Sequence, residues 1–374
     1  MQEEQFFFHV NKGVFYNPNM RLCRSMSSLA VGAIASIDKA GAKLELIDAF
    51  CASGIRGIRY AKENKNVKKI TFIDLSKPAI ASVKKNIKST KLKTKASFCH
   101  NVLSKAAFDH SADFLEIDPF GTPAPYLVDS FRYFNIKKAG YLSVTATDVA
   151  VLCGGKTAAC MKNYHSKPLN NEFTHETGLR IMIKKIAEVA AEFNFGIEPL
   201  ISFSNQHYLK SVLKLTRNAD LAFDSLTQLG YVSYCKNCGW RTSSQFPVSC
   251  SACRTQNSDL ETQFSGSLWL GEIHNKSFLE NMLALNEKRT YSDRDEIRDM
   301  LDQMVGECGM PPYYYNIHTL CKIQKINPIP KLDSLLEAIK TSGHQATKTH
   351  FSPISIKTKM SYQDLIKVLR STAK

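Results

Sequence analysis

The chain has 374 residues, 44% of them hydrophobic and 22% charged, which is the composition of an ordinary soluble protein. At about 150 residues per domain, this length indicates two or three domains. No apolar run approaches the roughly 18 residues of a membrane-spanning helix, and the first residues do not resemble a secretory signal. We therefore expect neither a membrane protein nor a disordered one.

Charge is the first positive indication of function. The chain carries 49 Lys and Arg against 34 Asp and Glu, a net charge of +15. This excess favours a polyanionic partner, and nucleic acid is a better candidate than a membrane because we find no basic amphipathic helix or lipidation motif. Residues 62–95 hold eleven lysines and two acidic residues, and residues 331–374 hold eight basic and three acidic residues. Both segments, the second with Lys357 and Lys359, are predicted to contact RNA phosphates. The alternative for both is a charged surface that only faces solvent.

Hydrophobic periodicity predicts alternating strands and helices through the first two thirds of the chain. The first predicted elements are a helix over 27–39, a strand over 44–50, a small-residue loop over 51–57 that leads into a helix, a strand over 69–75 and a helix from Pro78. They are followed by strands over 96–99, 114–117 and 141–145, a helix over 179–193, and strands over 199–203 and 211–215. This alternation indicates an α/β fold with a parallel sheet and helices on both faces. Beyond residue 265, helices are predicted over 278–285, 292–306, 317–322, 332–340 and 362–369, which indicates a second, mixed domain.

The loop after the first predicted strand suits an adenosine-containing cofactor. Asp48 lies near the end of that strand and Asp74 near the end of the second, where a carboxylate can accept hydrogen bonds from ribose hydroxyls. The loop has only Gly54 and Gly57 and lacks the G-x-G-x-x-G pattern that a dinucleotide requires. S-adenosylmethionine has no phosphate and needs no such turn, so it is the cofactor that we expect. The alternative is an unspecialised strand-to-helix turn.

The sequence Asp118-Pro119-Phe120-Gly121 follows the strand predicted over 114–117. An exocyclic amine conjugated to an aromatic ring is a poor nucleophile because its lone pair is delocalised. Hydrogen bonds from that amine to the Asp118 carboxylate and the Pro119 carbonyl would localise the lone pair, while proline stiffens the turn. Phe120 can stack on a base, and Phe15 is a second stacking candidate. A chance turn at a strand end is the alternative.

Eleven cysteines, an odd number, indicate a reducing compartment. Cys235 and Cys238 form one C-x2-C pair, and Cys250 and Cys253 form another eleven residues later. Two such pairs can supply four thiolates to one tetrahedral zinc, which would be structural because no position stays open. The neighbouring basic and aromatic side chains are predicted to contact RNA: Lys236, Trp240, Arg241 and Arg254.

These motifs resemble the tRNA (guanine-26-N2)-dimethyltransferase family of the archaeal type. The segments that carry the resemblance are VFYNP (14–18), GIRGIR (54–59), DPFG (118–121), TATD (145–148), CG (153–154), KPL (167–169), EFTHE (172–176), GLR (178–180), GSLWLGE (266–272) and PYYY (312–315). They cover almost the whole chain. The resemblance implies a class I, Rossmann-like S-adenosylmethionine-dependent methyltransferase domain with a zinc-knuckle insertion and a smaller α+β C-terminal domain.

The resemblance also implies roles for single residues. The cofactor would be lined, together with Asp48, by Arg24, Arg56, Asp74, Asn101 and Val102. Asp118 would hold the target amine, and Phe15 and Phe120 would sandwich a base that has been flipped out of the tRNA. Asn101 stands where the family more often has an acidic residue, so we expect weaker cofactor binding. His175 and Glu176 are adjacent on a helix and face different directions, so we expect a structural role for them.

The expected reaction is the transfer of two methyl groups to N2 of guanine 26 in tRNA. We expect a catalytic domain over residues 1–265, with the zinc knuckle over 234–256, and a tRNA-binding domain over 266–374. The expected partner is tRNA rather than a membrane, and we expect a monomer in the cytoplasm. The alternatives are a methyltransferase for another exocyclic amine in RNA or DNA, and a catalytically silent RNA-binding protein.

Overall fold

The structure is a computed structural model that describes residues 1–37, 43–253 and 261–373. It begins with a hairpin of β1 (Gln2–Glu3) and β2 (Phe6–Phe7), followed by a 3-10 turn (Pro18–Met20) and helix α1 (Arg21–Ile37). The first predicted helix is thereby confirmed up to residue 37, and residues 38–39 lie outside the described residues. Among the described residues, no helix is long and apolar enough to cross a membrane.

A seven-stranded sheet forms the centre of the molecule. Its strands are β3 (Leu44–Ala49), β4 (Val67–Asp74), β5 (Lys95–His100), β6 (Phe114–Ile117), β7 (Ala139–Ala146), β8 (Phe195–Asn205) and β9 (Tyr208–Arg217). They lie in the order β5-β4-β3-β6-β7-β9-β8. The strands from β3 to β7 are parallel, as the sequence predicted, whereas β9 is antiparallel to both β7 and β8.

Helices connect these strands and cover both faces of the sheet. They are α2 (Ile55–Glu63), α3 (Lys77–Ser89), α4 (Leu103–Ala106), α5 (Leu127–Arg132), α6 (Val149–Leu152), α7 (Thr157–Tyr164), α8 (Thr174–Glu192) and α9 (Ala219–Thr227). α3 shows how the sequence sets a boundary. Ser76 caps the helix by accepting a hydrogen bond from the backbone N–H of Ala79 at 3.4 Å, and Pro78 in the first turn needs no donor.

The strand order places the functional site. The direction in which successive strands are added reverses between β3 and β6. The chain adds β4 and β5 on one side of β3 and then returns to add β6 on the other side. In open α/β sheets, ligands bind at the carboxyl ends of the strands beside such a reversal. Asp48, Asp74 and Asp118 all lie at those strand ends.

The cysteine-rich segment is not only a loop. It contains β10 (Leu229–Cys235) and β11 (Arg241–Ser244), which form a second sheet with β12 (Thr262–Trp269). β10 lies between β11 and β12 and pairs antiparallel with both. Cys235 therefore ends β10 and Cys238 lies in the turn that leads to β11, between two strands that the sequence did not predict.

The C-terminal part contains α10 (Lys276–Asn286), α11 (Arg294–Glu307), β13 (Tyr315–Asn316), α12 (Ile317–Gln324), α13 (Leu332–Thr341), β14 (Ala346–Thr349), β15 (Ser352–Thr358) and α14 (Tyr362–Thr372). All five predicted helices are confirmed, and the three strands complete a mixed α+β arrangement. Phe278 of α10 and Leu301 of α11 share one buried cluster with Leu29 of α1. A separate cluster is formed by side chains between Tyr315 and Ala373.

The structure contradicts one predicted RNA contact in this part of the chain. Lys357 on β15 is buried, and its ammonium group pairs with the buried Glu176 of α8. It also donates to the carbonyl of Pro311 at 3.0 Å. Lys357 therefore joins the C-terminal part to the central domain, whereas Lys359 is exposed. The structural role predicted for Glu176 is confirmed.

Candidate active site

A cavity of about 550 Å³ opens at the carboxyl ends of β3, β4 and β6. All ten residues that the sequence predicted for cofactor binding and catalysis line this cavity: Phe15, Arg24, Asp48, Arg56, Asp74, Asn101, Val102, Asp118, Pro119 and Phe120. The structure thus brings residues from seven separate chain segments to one place. Their individual roles stay predictions.

The loop between β3 and α2 turns sharply beside the cavity. Its backbone is left-handed at Phe50, Ala52 and Gly54, with φ values of 59°, 47° and 76°. For residues other than glycine, this conformation costs roughly 1–2 kcal/mol. Such strain is typical of segments shaped to hold a ligand. A Cβ atom at Gly54 would lie 2.8 Å from Cγ2 of Val83, so glycine also allows the loop to pack against α3.

Asp48 lies beneath this loop and anchors α2. Its carboxylate accepts a hydrogen bond from the backbone N–H of Gly57 at 3.0 Å. A Cβ atom at Gly57 would lie 2.7 Å from Oδ2 of Asp48, so only glycine allows this approach. Burial raises the pKa of Asp48 to about 7, although the charge of Arg56 opposes the increase.

Asp74, Asn101 and Val102 form the wall at the ends of β4 and β5. The Asp74 carboxylate accepts hydrogen bonds from the backbone N–H groups of Ala52 at 2.9 Å and Ser76 at 2.8 Å. These bonds fix its orientation and leave lone pairs for further donors. The side-chain oxygen of Asn101 accepts from the backbone N–H of Val102 at 3.0 Å. This wall therefore offers oriented acceptors of the kind that ribose hydroxyls and an adenine amine require.

Asp118 faces the cavity from the end of β6. Its carboxylate accepts a hydrogen bond from the guanidinium of Arg56, and its side chain remains 22% exposed. Burial alone would raise the pKa of Asp118, but the positive charges of Arg56 and Lys210 outweigh burial and hold the pKa below its ordinary value. Asp118 is therefore an ionised acceptor at neutral pH.

A buried charge network supports Arg56 and Asp118 from below. Glu116, two residues before Asp118, pairs with the ammonium group of Lys210 and accepts a hydrogen bond from the Tyr60 hydroxyl at 2.8 Å. Arg56 lies 3.9 Å from the same carboxylate. Lys210 comes from β9, more than 90 residues away in the chain, and no local sequence signal indicated its part in the network.

Arg24 reaches the cavity wall but already has a carboxylate partner. Its Nε donates to Oε1 of Glu3 at 2.8 Å, and its Nη2 pairs with the other oxygen of that carboxylate. Glu3 also pairs with Arg59 at 2.9 Å. Burial would raise the pKa of Glu3, but the two arginines lower it to about 2. The sequence analysis did not identify Glu3, which lies in the first hairpin and outside any motif.

Phe15 and Phe120 contact each other at the mouth of the cavity. Their ring centres are 4.6 Å apart and their planes meet at 84°, an edge-to-face arrangement. Two parallel rings with a base between them would be about 7 Å apart, twice the van der Waals contact distance. The space for a base that the resemblance implied between Phe15 and Phe120 is therefore absent in this structure. The side chains are 52% and 75% exposed, so core packing does not oppose their separation.

Phe50, Tyr126 and His207 are aromatic side chains that line the cavity without having been predicted as site residues. Tyr126 packs edge-on against Phe50, with ring centres 4.7 Å apart. His207, in the turn between β8 and β9, lies 3.3 Å from the side-chain amide of Asn17. Neither Tyr126 nor His207 lies in a motif, and only the fold brings them to the site.

The four cysteines converge at the base of the second sheet. The sulfur atoms of Cys235 and Cys253 are 3.6 Å apart, as are those of Cys238 and Cys250, and all four lie within 4.8 Å of one another. A disulfide would require about 2.05 Å. Four thiolates at about 2.3 Å from one zinc lie roughly 3.8 Å apart, so the cluster fits a tetrahedral zinc site.

The side chains around the cysteines correct another prediction. Trp240 and Arg241 are buried and therefore do not reach RNA. Arg241 donates to Glu172 at 2.6 Å and to the carbonyl of Tyr314 at 2.6 Å, so it links the knuckle to neighbouring segments. Lys236 is exposed, and Arg254 lies outside the described residues.

Comparison with known proteins gives a consistent result. Residues 1–370 match the family model of N2,N2-dimethylguanosine tRNA methyltransferase. A tRNA (guanine(26)-N(2))-dimethyltransferase of Methanobrevibacter smithii is 33% identical over 369 residues, which is 96% of this chain and 92% of the relative. The enzyme of the same name from Thermococcus kodakarensis is 34% identical over 381 residues, 96% of this chain and 93% of the relative.

A solved structure extends the similarity to the whole fold. It is the complex of Trm1 from Pyrococcus horikoshii with S-adenosyl-L-methionine, which is 27% identical to this chain. The alignment covers 99% of both chains with a TM-score of 0.87.

Proposed function

The chain belongs to the N2,N2-dimethylguanosine tRNA methyltransferase family, and from that premise we propose that Asp118 and the side chains around it bind and activate one guanine of tRNA. The reaction of the enzyme is the transfer of two methyl groups from S-adenosylmethionine to N2 of guanine 26. This activity decides against both alternatives that the sequence left open. The observation that carries the proposal for the site is the partly exposed, ionised carboxylate of Asp118, which lines the same cavity as the cofactor loop.

The cavity residues fit the cofactor. When bound, S-adenosylmethionine supplies an electrophilic methyl group on a sulfonium centre. Asp74 would accept hydrogen bonds from the ribose hydroxyls, and Asn101 and Val102 would contact the adenine. Arg24 and Arg56 would provide positive charge for the carboxylate of the methionine tail, using N–H groups that their pairs with Glu3 and Asp118 leave free.

Asp118 and the carbonyl of Pro119 accept the two N–H groups of the target amine. These hydrogen bonds localise the nitrogen lone pair, which is otherwise shared with the guanine ring, toward the methyl donor. Arg56 and Lys210 keep Asp118 ionised, so that it accepts rather than donates. The same two acceptors orient the amine for the first transfer. After the first methylation, one N–H remains for the second transfer.

The target base is flipped out of the tRNA before it reaches Asp118. Flipping costs a few kcal/mol, which stacking between Phe15 and Phe120 offsets. Since the two rings contact each other in the structure, base entry separates them. Their exposure on the cavity rim makes that movement possible without disturbing the core.

The cysteine cluster supports a structural zinc held by Cys235, Cys238, Cys250 and Cys253. The residues around it connect the second sheet to the C-terminal part: Tyr362 of α14 donates a hydrogen bond to the carbonyl of Cys238. The metal would therefore hold the catalytic domain (residues 1–265) and the tRNA-binding domain (266–374) in a fixed relation.

None of the eleven cysteines, all of which lie in the described ranges, forms a disulfide, which supports the cytoplasmic location that we propose. The monomeric state stays a prediction.

Methyl transfer to defined transcripts tests this function. Protein, labelled S-adenosylmethionine and an unmodified tRNA transcript are incubated to completion, with a transcript carrying adenine at position 26 as the matched control. We expect two methyl groups per guanine-26 transcript and none in the control. Equal labelling of both transcripts would contradict the assignment to guanine 26.

A further inference from the structure

α3 and the segment after it carry a concentration of positive charge that the active site does not use. Residues 77–95 contain no Asp or Glu and seven lysines: Lys77, Lys84, Lys85, Lys88, Lys91, Lys93 and Lys95. All seven are exposed. Among the described residues, none of these seven lysines forms an ion pair. The ion pairs nearby involve other residues, such as Lys69 with Glu45 at 3.6 Å. Their charge is therefore available to an external anion.

Three of these lysines form a stripe on one face of α3. Lys77, Lys84 and Lys88 are separated by seven and four residues, intervals that return to the same side of a helix. The opposite side is buried through residues such as Val83. The Lys84 ammonium group lies 5.2 Å from the ring centre of Phe98, an exposed aromatic on the edge strand β5. Lysines beside an exposed aromatic are the pattern of a surface for single-stranded nucleic acid.

The stripe begins at the cavity. Leu75 lines the cavity, and Lys77 follows two residues later. The 13 residues of α3 then extend about 20 Å away from that edge.

The N-terminal segment of the chain also extends from the cavity along α3. The backbone N–H of His9 donates to Asn86 of α3 at 2.7 Å, and the side-chain amide of Asn86 donates to the His9 carbonyl at 2.8 Å. The N-terminal segment therefore lies along α3. It carries Phe7, which is 68% exposed, and continues to Phe15 in the cavity.

The lysines of the C-terminal part are less available. Lys348 pairs with Asp333 at 2.7 Å, and Lys367 pairs with Asp364 at 2.8 Å. Lys357 is buried against Glu176. Three of the basic side chains predicted to hold RNA there thus already have a carboxylate partner.

We propose that the exposed face of α3, defined by Lys77, Lys84 and Lys88, binds the sugar–phosphate backbone of tRNA next to the nucleotide in the cavity. This inference rests on the proposed function, since the substrate is taken to be tRNA. Each lysine neutralises a phosphate and releases counterions, so binding at this face depends steeply on salt. The lysines contact backbone only, and the face therefore strengthens binding without selecting a sequence.

A charge-matched pair of variants tests the proposal. The α3 variant is Lys77→Gln, Lys84→Gln and Lys88→Gln. The control variant is Lys65→Gln, Lys68→Gln and Lys138→Gln, which removes the same charge from exposed lysines near the amino ends of β4 and β7, at the opposite edge of the sheet. The affinity for an unmodified tRNA transcript is measured at several salt concentrations, and the affinity for S-adenosylmethionine is measured by calorimetry.

In the α3 variant, we expect the slope of log K against log salt to fall by about two to three and the Kd for tRNA to rise roughly tenfold or more. The control variant should lose less than one unit of slope. Both should bind S-adenosylmethionine like the wild type. An unchanged slope in the α3 variant, or equal losses in both variants, would overturn the proposal. The failure of the proposed function would look different, because the wild-type protein itself would not methylate tRNA.

Discussion

The guanidinium of Arg56 on α2 donates a hydrogen bond to the carboxylate of Asp118 at the end of β6. This contact joins the two halves of the cavity, because α2 follows the cofactor loop and Asp118 belongs to the motif that receives the target amine. Arg56 also lies near the buried pair of Glu116 and Lys210. The negative charge of Asp118 is thus balanced by the positive charges of Arg56 and Lys210.

Replacement of Arg56 should change the pH dependence of methyl transfer. Arg56 contributes to holding the pKa of Asp118 below its ordinary value, so Arg56→Met raises this pKa. As the pH is lowered, Asp118 in this variant then becomes protonated at a higher pH than in the wild type, and activity is lost at that higher pH. We expect the acid limb of kcat/KM to move to higher pH, and a rate profile that extends from pH 3 to pH 8 would measure the limb in both proteins.

Arg56→Lys serves as the control because it keeps the positive charge. It should retain an acid limb closer to that of the wild type, although it loses the planar fork of the guanidinium. Calorimetry with S-adenosylmethionine separates weakened cofactor binding from the effect on Asp118. An acid limb in Arg56→Met identical to that of the wild type would show that Arg56 does not control Asp118.

The cysteine cluster should contain one zinc per chain. Elemental analysis of protein purified without chelator is expected to give about one equivalent, and Cys238→Ser should reduce it to less than about a tenth and lower the melting temperature. Cys99→Ser, which replaces a cysteine outside the cluster, should keep the full equivalent. Wild-type protein without zinc and with an unchanged melting temperature would refute the site.

Lys357 should matter for stability rather than for RNA affinity. Its pair with Glu176 is almost fully buried, so Lys357→Met leaves a buried carboxylate without one of its partners. We expect unfolding by urea to show a loss of about 3 kcal/mol. Lys359→Met, at an exposed position, should change stability by less than about 0.5 kcal/mol. If Lys357→Met instead keeps its stability and weakens tRNA binding, the predicted phosphate contact was right after all.

The sequence predicted most of the central fold because each element left a local signal. Short segments rich in apolar residues, such as β6, mark strands covered on both faces, and Pro78 marks the start of α3. Asp48 and Asp74 were assigned to a cofactor site because they follow predicted strands, and the family resemblance placed Asp118 in the same site. The cysteine spacing likewise predicted a cluster that the structure brings together.

The rest depended on contacts between distant segments. Lys357 looked like an exposed charge because nothing local indicates that Glu176, 181 residues earlier, lies opposite it. Arg24 looked free because its partner Glu3 belongs to a two-residue strand. The strands β10 and β11 were missed since glycine, serine and cysteine dominate their surroundings and resemble a loop. The net charge of a segment also does not show which of its lysines form ion pairs and which are available to bind RNA.

The replacement of Asp118 tests most directly the claim that this carboxylate activates the target amine. Single-turnover methyl transfer to a guanine-26 transcript is measured for the wild type, Asp118→Ala and Asp118→Asn, and the affinities for tRNA and S-adenosylmethionine are measured separately. The account predicts that both variants bind the two ligands within a few-fold of the wild type, while transfer slows roughly a hundredfold or more, since the activating hydrogen bonds are lost. Transfer at nearly the wild-type rate in a folded Asp118→Ala variant would contradict it.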